Sequence, residues 1–144
     1  MFQRASTWLA AAVLAVGFAG AAAADGHKTK APDGAKVYFI SPKSGETVTG
    51  PVTIKFGLAG MGVAPAGVEK EKTGHHHLLI NQKLETYDDP IPNDETHRHF
   101  GGGQTEVTLD LPKGTHQLQL IMGDHNHIPH VPPVQSDVIT LTVK

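Results

Sequence analysis

Histidine is the residue type in this sequence best suited to chemistry, because ten copies are present, most of them lie in tight groups, and cysteine is absent. Neutral imidazole is the commonest protein ligand for transition metals. Without thiolates, a metal site would use nitrogen and oxygen donors, with Met61 and Met122 as thioether candidates. These donors favour copper, zinc or nickel. The groups are His75-His76-His77, His97-x-His99 and His125-x-His127-x-x-His130.

The spacing within these groups predicts how they chelate, because residues two apart in an extended segment point to the same face. His76 is expected to face the apolar side with Leu78 and Ile80. This makes it a weaker metal-ligand candidate and leaves its two neighbours as an outward pair. Asp124 is a natural hydrogen-bond partner to fix a histidine tautomer, and a further candidate ligand. The predicted metal ligands are His75, His77, His97, His99, His125, His127 and His130.

The amino-terminal residues 1–24 are typical of a signal peptide. Arg4 supplies the positive charge, an apolar run follows, and residues 21–24 are alanines suited to the peptidase. The run is short for a membrane span, and no later segment has about 20 apolar residues. We therefore expect an exported protein, periplasmic or secreted, with no membrane span in the mature chain.

Residues 25–35 are polar and are expected to form a flexible leader before the folded domain. Cleavage after Ala24 would begin the mature chain with Asp25-Gly26-His27, which resembles the amino-terminal copper and nickel motif. Cleavage after Ala23 would destroy that spacing. His27 is therefore a candidate ligand that depends on the cleavage position.

The rest of the chain predicts one all-β domain over residues 36–144. Alternating, β-branched segments separated by Gly and Pro occur at 36–40, 52–58, 75–80, 105–111, 115–122 and 137–143. No sustained helical period occurs after the signal. This pattern is typical of an antiparallel immunoglobulin-like β-sandwich of about seven short strands. The formal net charge of −2 argues against nucleic acid as a partner, because phosphate binding needs clustered Lys and Arg.

The topology of such a sandwich determines whether the histidine groups meet. A short additional strand at 83–87 would place all three groups at the same end, with His116 at the opposite end. Without that strand, residues 75–77 would separate from the other groups, and one site would become two.

Several stretches of the sequence are recognisable: GMGVAPAG (60–67), TGHHHLLI (73–80), DDPIPNDETHRHFGGGQTE (88–106) and HQLQLIMGDHNHIPHVPPVQSDVITLTV (116–143). They resemble a bacterial family of small secreted all-β proteins classed as a domain of unknown function. The resemblance covers residues 36–143 and implies no activity.

Three functions are compatible with these observations. The first is a periplasmic metal-binding protein, a copper or zinc carrier, buffer or sensor, with another periplasmic metal-handling protein as partner. The second is a metal-dependent enzyme with an open His-ligated site, in which Asp124, Glu95 or Asp94 would be the acid or base. The third is a metal-free envelope-binding module that responds to pH through its histidines.

Overall fold

The computed structural model describes residues 28–144, which form a single all-β domain. No helix long and apolar enough to cross a membrane occurs in this range. The expected signal peptide and the Asp25-Gly26-His27 motif lie outside the described residues. The strands are β1 (Lys36–Ser41), β2 (Thr47–Val48), β3 (Val52–Ala59), β4 (Gly62–Val63), β5 (Thr73–Ile80), β6 (His97–His99), β7 (Glu106–Leu109), β8 (Gly114–Gly123) and β9 (Ile139–Val143).

Two sheets pack face to face as a β-sandwich, which confirms the predicted fold class. The smaller sheet is antiparallel, in the order β1-β3-β7. The larger sheet has the order β2-β9-β8-β5, and two short strands continue it on the free edge of β5. There β4 runs parallel to the first two residues of β5, while β6 runs antiparallel to residues 77–79.

The main core lies between the sheets and follows from the alternation along each strand. Val37 and Phe39 of β1 are buried, whereas their neighbours are exposed. Leu78 and Ile80 of β5 meet them from the larger sheet. On the other face of the larger sheet, Leu79, Ile91 and Ile121 form a second, smaller cluster. The long connection 81–96 therefore covers the outer face of β5.

All six strands expected from the sequence are present, with shifts of one or two residues at most ends. Of the two topologies considered from the sequence, the one with an additional strand at 83–87 does not occur, because this segment has irregular backbone. Without that strand, the histidine groups were expected to form two separate sites. This is wrong, because histidines from all three groups lie together. β6 pairs directly with β5, so its histidines come next to those of β5 even though the connection before β6 contains no strand.

The described part of the expected leader is attached to the domain. The backbone amide of Ala31 donates to the Val131 carbonyl at 2.9 Å, and the Val131 amide donates to the Thr29 carbonyl at 3.0 Å. Ala31 joins the main core. These contacts bring Thr29 next to the loop that follows β8.

Candidate metal centre

The pleat of β5 separates its three consecutive histidines. His76 faces the main core, where its ring centroid lies 5.1 Å from that of Phe56, as the apolar pattern predicted. His75 and His77 point to the opposite face. They were expected to be the outward pair, but they are 0% and 1% exposed. Neighbouring rings and loops cover them, so the outer face of β5 is interior here.

The register of β6 on β5 adds the third histidine. His99 lies directly opposite His77 in this antiparallel ladder, so the two side chains share a face. Their ring centroids are 5.0 Å apart. β6 has only three residues, and its pairing with β5 is what places His99 at the site.

A tight turn after β8 adds the fourth histidine. The His127 amide donates to the Asp124 carbonyl at 2.8 Å, and the His127 carbonyl accepts from the Ile91 amide at 2.9 Å. His127 has φ 68°, in the left-handed region that few non-glycine residues adopt. Its backbone is thus fixed from two sides, and its ring lies 4.8 Å from that of His99.

Together the four histidines form a compact nitrogen cluster. Each of His75, His77, His99 and His127 offers one ring nitrogen, and these nitrogens all lie within 4.8 Å of one another. Nε2 of His75 and Nε2 of His77 lie 3.0 Å apart. A tetrahedral ion with Zn–N bonds of about 2.0–2.1 Å would separate its ligand nitrogens by about 3.3 Å. Small side-chain movements would therefore bring the cluster to that geometry.

The cluster also contains buried polar atoms that lack partners. Nδ1 of His75, Nδ1 of His77, Nε2 of His99 and Nδ1 of His127 are buried and make no hydrogen bond. Leaving a polar atom unpaired in the interior costs free energy, so most buried polar atoms in proteins are paired or bind an ion. A metal ion bound through these unpartnered nitrogens would satisfy one nitrogen of each ring.

Burial holds these imidazoles in the neutral form that binds metals. Desolvation, reinforced by repulsion from His127 and His99, lowers the pKa of His75 to about 4. Desolvation and the neighbouring His75 lower the pKa of His77 to about 2. The pKa of His99 is also lowered, mainly by burial. At neutral pH each of these three rings therefore has one nitrogen with a lone pair available to a metal ion.

Glycines make room for the rings. A Cβ atom on Gly101 would lie 2.3 Å from Cε1 of His99, and one on Gly123 would lie 2.8 Å from Nε2 of His77. Gly101 lies two residues after the end of β6, and Gly123 is the last residue of β8. Sequence reasoning missed their role; the signal was a glycine two residues from a histidine group.

The other predicted ligands lie elsewhere. Nδ1 of His97 is 2.9 Å from the Asp94 carboxylate, and Nε2 of His125 pairs with the Asn126 side chain. His130 is buried and its Nε2 donates to the Thr73 carbonyl at 3.2 Å. His116 is near the opposite end of β8, where its Nε2 donates to the Pro112 carbonyl at 2.7 Å.

The candidate acids and bases are also bonded or exposed. Hydrogen bonds from His97 and Thr96 hold the pKa of Asp94 well below its ordinary value. Asp124 is buried within the turn that carries His127, and Glu95 is exposed. Four imidazoles around one ion leave no open position in a tetrahedral site, and catalytic zinc sites keep one open.

The fold and the site define this protein as a β-sandwich with a histidine cluster able to hold a metal ion. It belongs to the family described as Domain of unknown function (DUF4399), whose model matches residues 54–144. The search of curated proteins finds no match.

Among solved structures, the chain is similar to one described as "Structures of Clostridium thermocellum CbhA fibronectin(III)-like modules". The identity is 13% and the TM-score 0.41, over 76% of this chain. The chain spans 45% of the length of that structure.

Proposed function

We propose that this protein binds copper or zinc through His75, His77, His99 and His127 and acts as a periplasmic carrier, buffer or sensor of that metal. The observation that supports this most directly is the convergence of four ring nitrogens within 4.8 Å from three separate segments. The convergence also leaves one buried nitrogen of each ring without a hydrogen bond, which a bound ion would relieve.

The burial pattern supports exchange of the ion. His75 and His77 are fully enclosed, whereas His99 and His127 are partly exposed and form the accessible side. An ion could therefore enter or leave on the side of these two partly exposed ligands. This asymmetry suits a carrier or buffer that passes its ion to another periplasmic metal-handling protein.

The test is titration of untagged, metal-free protein with Zn²⁺ and with Cu²⁺ at about pH 7.5, where imidazole is neutral. We expect one equivalent of either ion to bind tightly, with a ligand-field absorption for Cu²⁺ and with chemical-shift changes of the four rings for Zn²⁺. Binding no tighter than millimolar for both metals would overturn the proposal.

Two matched pairs of variants sharpen this test. His99 and His97 lie two residues apart on the same face of β6, yet only His99 belongs to the cluster. His127 and His125 form a similar pair in the turn. H99A and H127A should weaken binding by more than the about 10–100-fold typical of losing an outer hydrogen-bond partner. H97A and H125A should leave the affinity close to that of the wild type.

A further inference from the structure

The carboxylate of Asp124 is buried beside the candidate metal centre. Asp124 is 2% exposed and follows Gly123, which pairs with His75 across the sheet. Its Oδ1 atom accepts from the backbone amides of Asn126 at 2.9 Å and Ile128 at 3.0 Å. These two residues flank His127, so the carboxylate organises the turn that presents this ligand.

The second oxygen of this carboxylate also has a neutral partner. Oδ2 accepts a hydrogen bond from the Thr29 hydroxyl at 2.7 Å. The ion pairs found within residues 28–144 join Lys28 to Asp88 and His97 to Asp94. Asp124 is in neither, so its buried negative charge has hydrogen bonds but no cationic side chain to balance it. A buried charge without a counter-charge is costly.

The four imidazoles would leave the positive charge of a bound metal ion without a counter-charge. Neutral imidazole brings no charge to a metal, so a divalent ion at the cluster would keep both of its positive charges in a buried place. Asp124 adjoins the cluster through the backbone. Gly123, directly before it, pairs with His75 across the sheet, and the amide of His127 donates to the Asp124 carbonyl at 2.8 Å.

We propose that Asp124 is the counter-charge of the four-histidine centre and makes it favour a divalent over a monovalent cation. This inference rests on the proposed metal binding. The physical reason is that the Coulomb free energy of an ion next to a fixed carboxylate is proportional to the charge of the ion. Removing the carboxylate charge should therefore lower the affinity for a monovalent ion by some factor, and lower the affinity for a divalent ion by the square of that factor.

The variant that isolates the charge is D124N. The remaining oxygen can still accept from both backbone amides, and the new amide nitrogen can donate to the Thr29 hydroxyl oxygen. We expect the affinity for Zn²⁺ to fall about tenfold and that for Cu⁺, measured without oxygen, to fall only about threefold. Each ratio compares the variant with the wild type for the same ion, so the different geometries that the two ions prefer cancel.

Two control variants separate charge from structure. T29V removes one hydrogen bond to Asp124 but keeps the carboxylate, so any loss should be equal for both ions. D110N removes an exposed carboxylate of the same kind and should change neither affinity. If D124N does not fold, D124S replaces it, because a serine hydroxyl can still accept from the turn amides.

The outcomes are distinguishable from failure of the metal site itself. Equal weakening of Zn²⁺ and Cu⁺ binding in D124N would give Asp124 a structural role only and overturn the inference, as would unchanged affinities. In both cases the proposed function stands, because the wild type binds. A wild type that binds neither ion would overturn both proposals.

Discussion

Gly123 leaves the space that the ring of His77 occupies: a Cβ atom at Gly123 would lie 2.8 Å from Nε2 and 3.1 Å from Cδ2 of that ring. The same atom would lie 3.3 Å from Cα of His127. Two ligands from different segments therefore approach each other across a glycine. Any larger residue must displace one of them.

We expect G123A to reduce metal affinity strongly, because His77 is enclosed and cannot move its ring without disturbing its neighbours. The overpacking should also destabilise the fold by about 1–3 kcal/mol. Gly62 provides the control, since a Cβ there meets only Cγ2 of Thr73 at 3.6 Å, an ordinary contact. Zinc titration and urea unfolding of G123A and G62A measure both effects. Wild-type affinity in G123A would contradict the enclosed position of His77.

Metal binding should stabilise the folded protein, because the unfolded chain does not bring the four rings together. At a free metal concentration of 100 times Kd, the free energy of unfolding should rise by about 2.7 kcal/mol. For a domain of this size, Tm should increase by roughly 10 °C, and a chelator should reverse the increase. Thermal unfolding with Zn²⁺, with and without chelator, measures this. H99A should lose most of the increase, whereas H97A should retain it.

The metal-free protein should lose stability as the pH falls below about 6.5. In the unfolded chain His75, His76 and His77 protonate near that pH, but burial lowers the pKa values of His75 and His76 to about 4 and that of His77 to about 2. The unfolded state therefore binds more protons below about pH 6.5, which favours unfolding.

The stability conferred by these neutral rings is present above pH 6.5 and decreases towards pH 4, by up to about 1.4 kcal/mol per pH unit for each histidine. Urea unfolding between about pH 7.5 and 5 isolates the effect, because carboxylates titrate mainly at lower pH. A constant free energy of unfolding over this range would show that the rings are not desolvated in the folded state.

Much of the site could be predicted from spacing alone. Alternation along β5 correctly separated His76 from His75 and His77, because strand geometry fixes which face each side chain takes. The sequence could not distinguish His99 from His97, since both have the same spacing and face. The register with β5 makes this choice, by placing His99 opposite His77. Register depends on tertiary pairing, which a strand of three residues does not encode by itself.

The turn after β8 was harder to predict for a similar reason. His125 and His127 have the spacing of an extended pair, but the chain there is a turn in which His127 takes a left-handed conformation. The turn arises from hydrogen bonds to Asp124 and from contact with Ile91 in a distant connection. No strand forms at 83–87, because that connection packs Ile91 and Leu84 onto the outer face of the sheet instead of pairing with it.

His127 should lower the stability of the metal-free protein, although metal binding requires it. Left-handed backbone at a non-glycine residue costs about 1–2 kcal/mol, and Nδ1 of His127 is buried without a partner. Such strain persists where a site requires it. H127G should relieve both costs, so metal-free H127G should be at least as stable as the metal-free wild type, while its metal affinity is lost. H127A removes the same ring but keeps the backbone cost, so it should be less stable than H127G. Urea unfolding of the three metal-free proteins gives the order, and H127G falling below H127A would show that the turn does not hold residue 127 in the left-handed region.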